Sequence, residues 1–178
     1  TTASFRVYPT SDTLYEGDET VTATAVVTTN SQTLLATDGG SLSASGSIAD
    51  NDLPTAQIAV ASSPVLEDGG DYMTYTVTLS NQSAFATTAV ISLGGSATSG
   101  TDYVVKDSGG NPITVSDGQF TLTIAAGVTT ASFRVYPTSD TLYEGNETVT
   151  ATAVVTTNSQ TLLATGGGSL SASGSITD

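Results

Sequence analysis

The stretch ETVTATAVVTT occurs at residues 147–157 and, unchanged, at residues 19–29. Threonine alternates in it with valine and alanine, and a period of two residues is typical of a half-buried β-strand. The same alternation runs through DYMTYTVTLS at residues 71–80 and QFTLTIAAG at residues 119–127. Valine and threonine also favour strands because their branched side chains fit a pleated surface. The pattern predicts an all-β protein.

The repetition extends well beyond this stretch. Residues 1–50 align with residues 129–178, so the period is 129 − 1 = 128 residues. Three pairs of residues differ: Asp18/Asn146, Asp38/Gly166 and Ala49/Thr177. Solenoid repeats are about 20 to 50 residues long, so a period of this size indicates tandem domains. We therefore expect the chain to be a section of a longer array.

The spacing of strands and turns predicts the architecture of each unit. Short alternating segments such as TTAVISLGG, TDYVV and ASFRVYP are separated by glycine-rich or polar turns such as EDGG and DSGGNP. No stretch has the period of an amphipathic helix. About seven to nine short strands in a unit of this length predict an antiparallel β-sandwich of the immunoglobulin-like type.

The unit boundary falls in an acidic linker at residues 51–56, where Pro54 forces the preceding residue toward an extended conformation. Residues 53–178 then form one complete repeat, and residues 1–50 are the C-terminal half of a preceding one. The half-repeat cannot complete residues 51–128, because the short link would have to travel a sandwich length of roughly 30 to 40 Å. We expect it to be disordered or to pair with another chain.

The charge balance excludes several classes of function. The chain has 17 acidic residues against Arg6, Lys106 and Arg134, a formal net charge of −14. Nucleic acids and anionic membranes should therefore be repelled, and no apolar run approaches the roughly 20 residues of a membrane span. Without Cys, His or a G-x-S-x-G element, we expect no enzyme and no zinc site. Hard, oxygen-seeking cations remain as metal partners.

An acidic motif carries the clearest chemistry. In TSDTLYEGNET, Asp140, Glu144 and Glu147 are spaced by four and then three residues, just before a strand. Calcium binds six to eight oxygens in irregular geometry and suits such a loop. Further acids stand at predicted strand ends: Glu67 and Asp68 in VLEDGG, Asp102 in GTDY, the pair Asp50 and Asp52, and Asp178.

The order VLEDGG, GTDY, YPTSDTLYEGNETV and SGSITD resembles the Calx-beta domain, which is found in sodium/calcium exchangers and in tandem repeats of large bacterial (RTX-type) surface adhesins. The resemblance covers residues 53–178 and, for the second half alone, residues 1–50. It implies an immunoglobulin-like sandwich that binds Ca²⁺ in loops at one end. The implied ligands are Glu67, Asp102, Asp140, Glu144, Glu147 and Asp178. In the first copy the implied ligands are Asp12, Glu16, Glu19 and Asp50, which correspond to Asp140, Glu144, Glu147 and Asp178, together with Asp52 of the terminal acidic run.

Two departures from the family pattern imply fewer ions. Ser139 stands where the exchanger domains have another aspartate, and the terminal acidic run is DND in the first copy instead of DDD. In the first copy the ligands equivalent to Glu67 and Asp102 are missing, so that site should be incomplete. Asp50 and Asp52 are expected to share an ion with the following unit.

The resemblance and the repetition together imply a structural extender repeat of a giant secreted adhesin on a bacterial cell surface, stiffened by Ca²⁺ in its end loops and linkers, with a role in cell adhesion and biofilm. Its partners would be neighbouring repeats, and another chain could pair with residues 1–50. The alternative is a carbohydrate- or protein-binding β-sandwich module. Near-identical repetition favours a spacer over a receptor-binding unit.

Overall fold

A computed structural model describes residues 2–36 and 42–178, so Asp38, one of the differing positions, lies outside the described residues. Within them the regular structure is strands and short 3₁₀ turns, and the all-β prediction is confirmed. The strands are β1 (Glu19–Thr24), β2 (Val27–Thr29), β3 (Gln32–Leu34), β4 (Ser43–Ile48), β5 (Ala56–Ala61), β6 (Val65–Leu66), β7 (Met73–Leu79), β8 (Thr87–Gly95), β9 (Tyr103–Asp107), β10 (Gln119–Ile124), β11 (Thr130–Pro137), β12 (Glu147–Thr157), β13 (Gln160–Thr161) and β14 (Ser171–Thr177). Among the described residues, no helix has the length and apolar character needed to cross a membrane.

Two sheets build the part of the chain after residue 55. One has the strand order β10-β8-β12-β14-β6, with β13 paired to β12, and the other has the order β5-β7-β11-β9. Neighbouring strands are antiparallel, except that β14 and β6 are parallel. The longest strand, β12, pairs with all of β8, from Val149 opposite Gly95 to Thr157 opposite Thr87. Pairing with β8 from Val149 onward and with β14 from Glu147 onward explains why β12 runs unbroken for 11 residues.

The core lies between these two sheets. Tyr75 and Phe133 stack with ring centroids 5.0 Å apart, and Phe120 from the other sheet meets Phe133 edge-on, also at 5.0 Å. The Tyr75 hydroxyl donates to the Val149 carbonyl at 2.7 Å and accepts from the Gly174 amide at 3.1 Å. Burial raises the pKa of Tyr75 to about 12. A buried hydroxyl that is satisfied on both sides thus ties one sheet to the other.

The second half of the repeat, residues 129–178, supplies three of the core strands. β11 lies between β7 and β9, and β12 lies between β8 and β14. The alternation read from the sequence appears in the burial: every other residue of β7 is buried, from Met73 to Leu79. Residues 53–178 therefore contain both sheets without any strand from residues 1–50.

The first copy keeps two strand pairings of the second copy, but these pairs do not join a larger sheet. β1 pairs with β4, and β2 pairs with β3, each as a separate two-stranded sheet. The strand predicted at ASFRVYP forms as β11 in the second copy, but residues 3–9 contain no strand, so the prediction is wrong for the first copy. The reason is the missing pairing partners, because β11 is held between β7 and β9.

Candidate metal centre

Three loops bring acidic side chains to one end of the complete repeat. Glu67 begins a short 3₁₀ turn, Glu67–Gly69, that follows β6. Asp102 precedes β9, and its carbonyl accepts the Thr138 amide at 2.9 Å, which joins this loop to the segment that follows β11. Glu147 is the first residue of β12. The rigid strand ends thereby fix where the carboxylates converge.

The closest group consists of Asp102, Glu144 and Glu147, whose carboxylate oxygens lie within 4.8 Å of one another. Burial raises the pKa of Glu144, and the negative charge of Asp102 raises it further. Burial likewise raises the pKa of Glu147, with Asp102 and Glu144 adding to the shift. The three carboxylates thus repel one another, and any cation that neutralises them would be stabilised.

The remaining predicted ligands lie around this group. Glu67 and Asp140 both raise the pKa of Glu144 by charge repulsion, and so does Asp178. Glu67 Oε1 accepts the Asp140 amide at 2.9 Å, which joins the 3₁₀ turn to the acidic motif. The structure therefore places all six carboxylates named from the sequence at one end of the complete repeat. Those of Asp102, Glu144 and Glu147 lie within 4.8 Å of one another, a separation compatible with a shared ion.

Two of these carboxylates also shape the loop itself. Asp140 Oδ1 accepts the Leu142 amide at 2.6 Å, and Asp178 Oδ2 accepts the amides of Glu144 and Gly145 at 2.6 and 3.2 Å. Each carboxylate has about four acceptor positions, so these bonds leave lone pairs for a metal. Through these hydrogen bonds Asp178 connects the end of β14 to the turn that carries Glu144.

Sequence reasoning gave no role to Asp68, and the structure supplies one. The Ser139 hydroxyl donates to Asp68 Oδ1 in a short hydrogen bond. The aspartate that the resemblance expected at position 139 is therefore replaced by a hydroxyl that uses one oxygen of Asp68. The sequence did indicate that Asp68 lies near the acid cluster, because it directly follows the predicted ligand Glu67 at a predicted strand end.

The donor set fits calcium. Every converging side chain offers carboxylate oxygens, which hard cations prefer, and carboxylates from several loops give the irregular shell that calcium tolerates. The basic side chains of the complete repeat are engaged with aromatic rings: Lys106 lies 4.4 Å from the Tyr136 centroid, and Arg134 lies 4.6 Å from the Tyr72 centroid. The residues present are therefore suited to Ca²⁺.

The first copy reproduces the loop but not the cluster. Its five predicted ligands line one pocket: Asp12, Glu16, Glu19, Asp50 and Asp52. Within the described residues, however, the group around Asp102 is the only one in which three carboxylate oxygens come within 4.8 Å of one another. The first copy lacks an Asp102 equivalent, which explains the difference.

Asp50 has a structural role in that pocket. Its Oδ2 accepts the amides of Glu16 and Gly17, each at 2.6 Å, and its Oδ1 accepts the Asp52 amide at 2.8 Å. Burial alone would raise the pKa of Asp50, but the three amide donors together hold it below its ordinary value. Asp50 therefore accepts hydrogen bonds from the turn at Glu16 and Gly17, as Asp178 does from the turn at Glu144 and Gly145 in the second copy.

Comparison with known proteins adds little. No family model matches the chain, and no curated protein matches it. Among solved structures, the Pseudomonas fluorescens alkylpurine DNA glycosylase AlkC, bound to DNA containing an abasic site analog, is similar at 16% identity and a TM-score of 0.29. The similarity covers 70% of this chain and 30% of the glycosylase chain. At that TM-score it carries no argument about this protein.

Proposed function

We propose that the complete repeat is an immunoglobulin-like, Calx-beta-like β-sandwich that serves as a structural extender in a tandem array and is stiffened by Ca²⁺. The observation that carries the proposal is the place of the acid cluster. Glu144 of that cluster lies on the turn that is hydrogen-bonded to Asp178. Asp50, the first-copy equivalent of Asp178, makes the same hydrogen bond and begins the link to the next unit. A bound ion would therefore act where one unit continues into the next.

The repetition supports a mechanical role. Residues 1–50 and 129–178 differ at only three positions, two of which change charge, at Asp18 and Asp38. A receptor-binding unit has little reason to recur almost unchanged, whereas a spacer does. An array of such units would hold a terminal domain away from a bacterial cell surface, which is the setting that we propose. The proposal includes no catalytic role.

Calcium would supply positive charge that the chain lacks. With a formal net charge of −14, the loops repel one another unless a cation neutralises them. Extracellular calcium modules bind with dissociation constants of about 0.1 to 1 mM. The array would therefore be stiff in calcium-rich surroundings and slack where calcium is scarce.

Thermal unfolding of residues 1–178 tests the calcium step. About 10 mM calcium should stabilise the complete repeat by about 1.4 to 2.7 kcal/mol per ion for dissociation constants of about 1 to 0.1 mM. Magnesium at the same concentration is the control, because it demands a smaller, near-octahedral shell. An unfolding temperature that is the same in chelator and in calcium would refute calcium binding. Reproducible binding to a glycan array would instead favour the alternative of a carbohydrate-binding module.

A further inference from the structure

One loop of the first copy is seated on the complete repeat. We call residues 13–17 the Tyr15 loop and residues 81–85 the Asn81 loop. The Tyr15 amide donates to the Gln82 carbonyl at 3.0 Å, and the Ala84 amide donates to the Tyr15 carbonyl at 2.9 Å. The Tyr15 ring meets Phe85 edge-on, with centroids 6.0 Å apart. Only 6% of the Tyr15 surface remains exposed.

Asn81 ties three segments together at this contact. Its side-chain amide donates to the Thr13 carbonyl at 3.3 Å and, in a short bond, to the Asp52 carbonyl in the linker. The Ser80 hydroxyl donates to Asn81 Oδ1 at 2.7 Å and so orients the amide group. One side chain thus fixes the preceding loop and the linker relative to the complete repeat.

Gly17 allows the close approach. A Cβ atom at this position would lie 3.0 Å from Asn158 Nδ2, and the φ angle of Gly17 is +78°, a conformation that favours glycine. Tyr15 and Gly17 are buried, whereas Glu16 between them is exposed. The Tyr15 loop therefore has one side against the complete repeat and another that leaves its acidic side chain in solvent.

The same five residues, TLYEG, recur at residues 141–145, which we call the Tyr143 loop. There Tyr143 is 84% exposed and Leu142 is 64% exposed. The internal hydrogen bonds match: Leu142 is held by Asp140 as Leu14 is held by Asp12. The loop therefore has the same internal hydrogen bonds in both copies, and in the described residues the Asn81 loop packs against Tyr15 but not against Tyr143.

We propose that the Tyr143 loop is a docking surface for the Asn81 loop of a following copy of the repeat, and that the contact at Tyr15 is this joint. The occupant is a second copy because, in the described residues, the TLYEG loop at Tyr15 lies against the Asn81 loop and Asn158, and both belong to the repeat that follows it. The inference rests on the proposed array. It adds that each joint is built from backbone hydrogen bonds and an aromatic contact on the loop that also carries Glu144.

Spin labels can measure the joint directly. The chain has no cysteine, so Thr20→Cys on β1 and Thr121→Cys on β10 would place one label on each side of it. The unsubstituted joint should give one narrow distance distribution in electron-electron double resonance. Tyr15→Ala should broaden it, and Asn81→Ala should do the same. Tyr143→Ala, the matched control from the identical loop, should leave it narrow.

Appending a second copy of residues 51–178 to the full chain tests the docking partner. With the labels on either side of the new joint, Tyr143→Ala should now broaden the distribution. A distribution that stays narrow with Tyr15→Ala, or with Tyr143→Ala in the lengthened chain, would overturn the inference. Each variant is also unfolded with and without calcium. If the substitutions broaden the distance distribution but calcium does not change the unfolding temperature, calcium binding is refuted and the joint is supported. If calcium raises the unfolding temperature but the substitutions leave the distribution narrow, the joint is refuted and calcium binding is supported.

Discussion

Neutralising Glu147 should change stability in opposite directions with and without calcium. Its carboxylate lies within 4.8 Å of those of Asp102 and Glu144. Burial raises the pKa of Glu147, and repulsion from these two carboxylates raises it further. Glu147→Gln keeps the shape of the side chain and removes one charge. In chelator we therefore expect the variant to be more stable than the unsubstituted chain. In calcium it should be less stable, because one ligand charge is gone.

The separation sets the size of the effect in chelator. Two unit charges about 4.8 Å apart interact by about 0.9 kcal/mol at the dielectric constant of water. Glu147→Gln removes two such repulsions, one with Asp102 and one with Glu144. Salt screening over a Debye length of about 8 Å roughly halves each of them, so the total gain stays near about 0.9 kcal/mol. Since about 1 kcal/mol corresponds to about 4 °C in a domain of this size, Glu147→Gln should raise the unfolding temperature in chelator by about 3 to 4 °C.

In calcium the unsubstituted chain should have a higher unfolding temperature than Glu147→Gln. For one site, about 10 mM calcium should add about 1.4 to 2.7 kcal/mol to the unsubstituted chain, or about 6 to 11 °C. Glu147→Gln should lose most of this gain. Differential scanning calorimetry of residues 1–178 in chelator and in calcium measures both effects in one experiment.

The chain contains its own control. Glu19 occupies the same repeat position as Glu147, but the first copy has no equivalent of Asp102. Glu19→Gln should therefore leave the unfolding temperature of the complete repeat unchanged in either medium. The reasoning is refuted if Glu147→Gln destabilises the chelated protein, or if its response to calcium equals that of the unsubstituted chain.

Two further predictions concern the core. Gly174→Ala should destabilise the complete repeat by about 1 to 3 kcal/mol through overpacking, because the added Cβ would collide with Met73 Sδ. Gly46→Ala at the same repeat position is the control and should be neutral, because its Cβ would meet nothing within 4 Å. Equal effects of the two substitutions on the free energy of unfolding in urea would contradict this prediction. Between pH 10 and 12 stability should fall, because Tyr75 ionises at its ordinary pKa of 10.0 when unfolded but only at about 12 when folded. The loss should be absent below pH 10, reach about 1.4 kcal/mol at about pH 11, and be smaller in Tyr75→Phe. An unchanged slope in that variant would show that Tyr75 is not the group responsible.

The acidic loop illustrates what could be predicted locally. The D-x₃-E spacing forms the same turn in both copies, since Asp12 accepts the Leu14 amide as Asp140 accepts the Leu142 amide. Contacts within a few residues need no distant partner, so they follow from the sequence. The convergence of Asp102 with this motif could be expected only through a family resemblance, because the two are separated by roughly 40 residues of chain. Their separation in space is set by β9 and β12, which lie in different sheets.

The all-β class, the acidity, the repeat period and the local turns follow from the residues alone. The environment of two identical residues depends instead on the strands and loops that pack against each copy. Phe133 is completely buried in β11, whereas Phe5, its copy, is 74% exposed, because only residues 129–178 have β7 and β9 as partners. The tyrosines show the reverse: Tyr15 is 6% exposed and Tyr143 is 84% exposed, because in the described residues the Asn81 loop packs against Tyr15 and not against Tyr143. A period-two pattern specifies which face is apolar, but burial and hydrogen bonding require a neighbour that the repeated stretch does not contain.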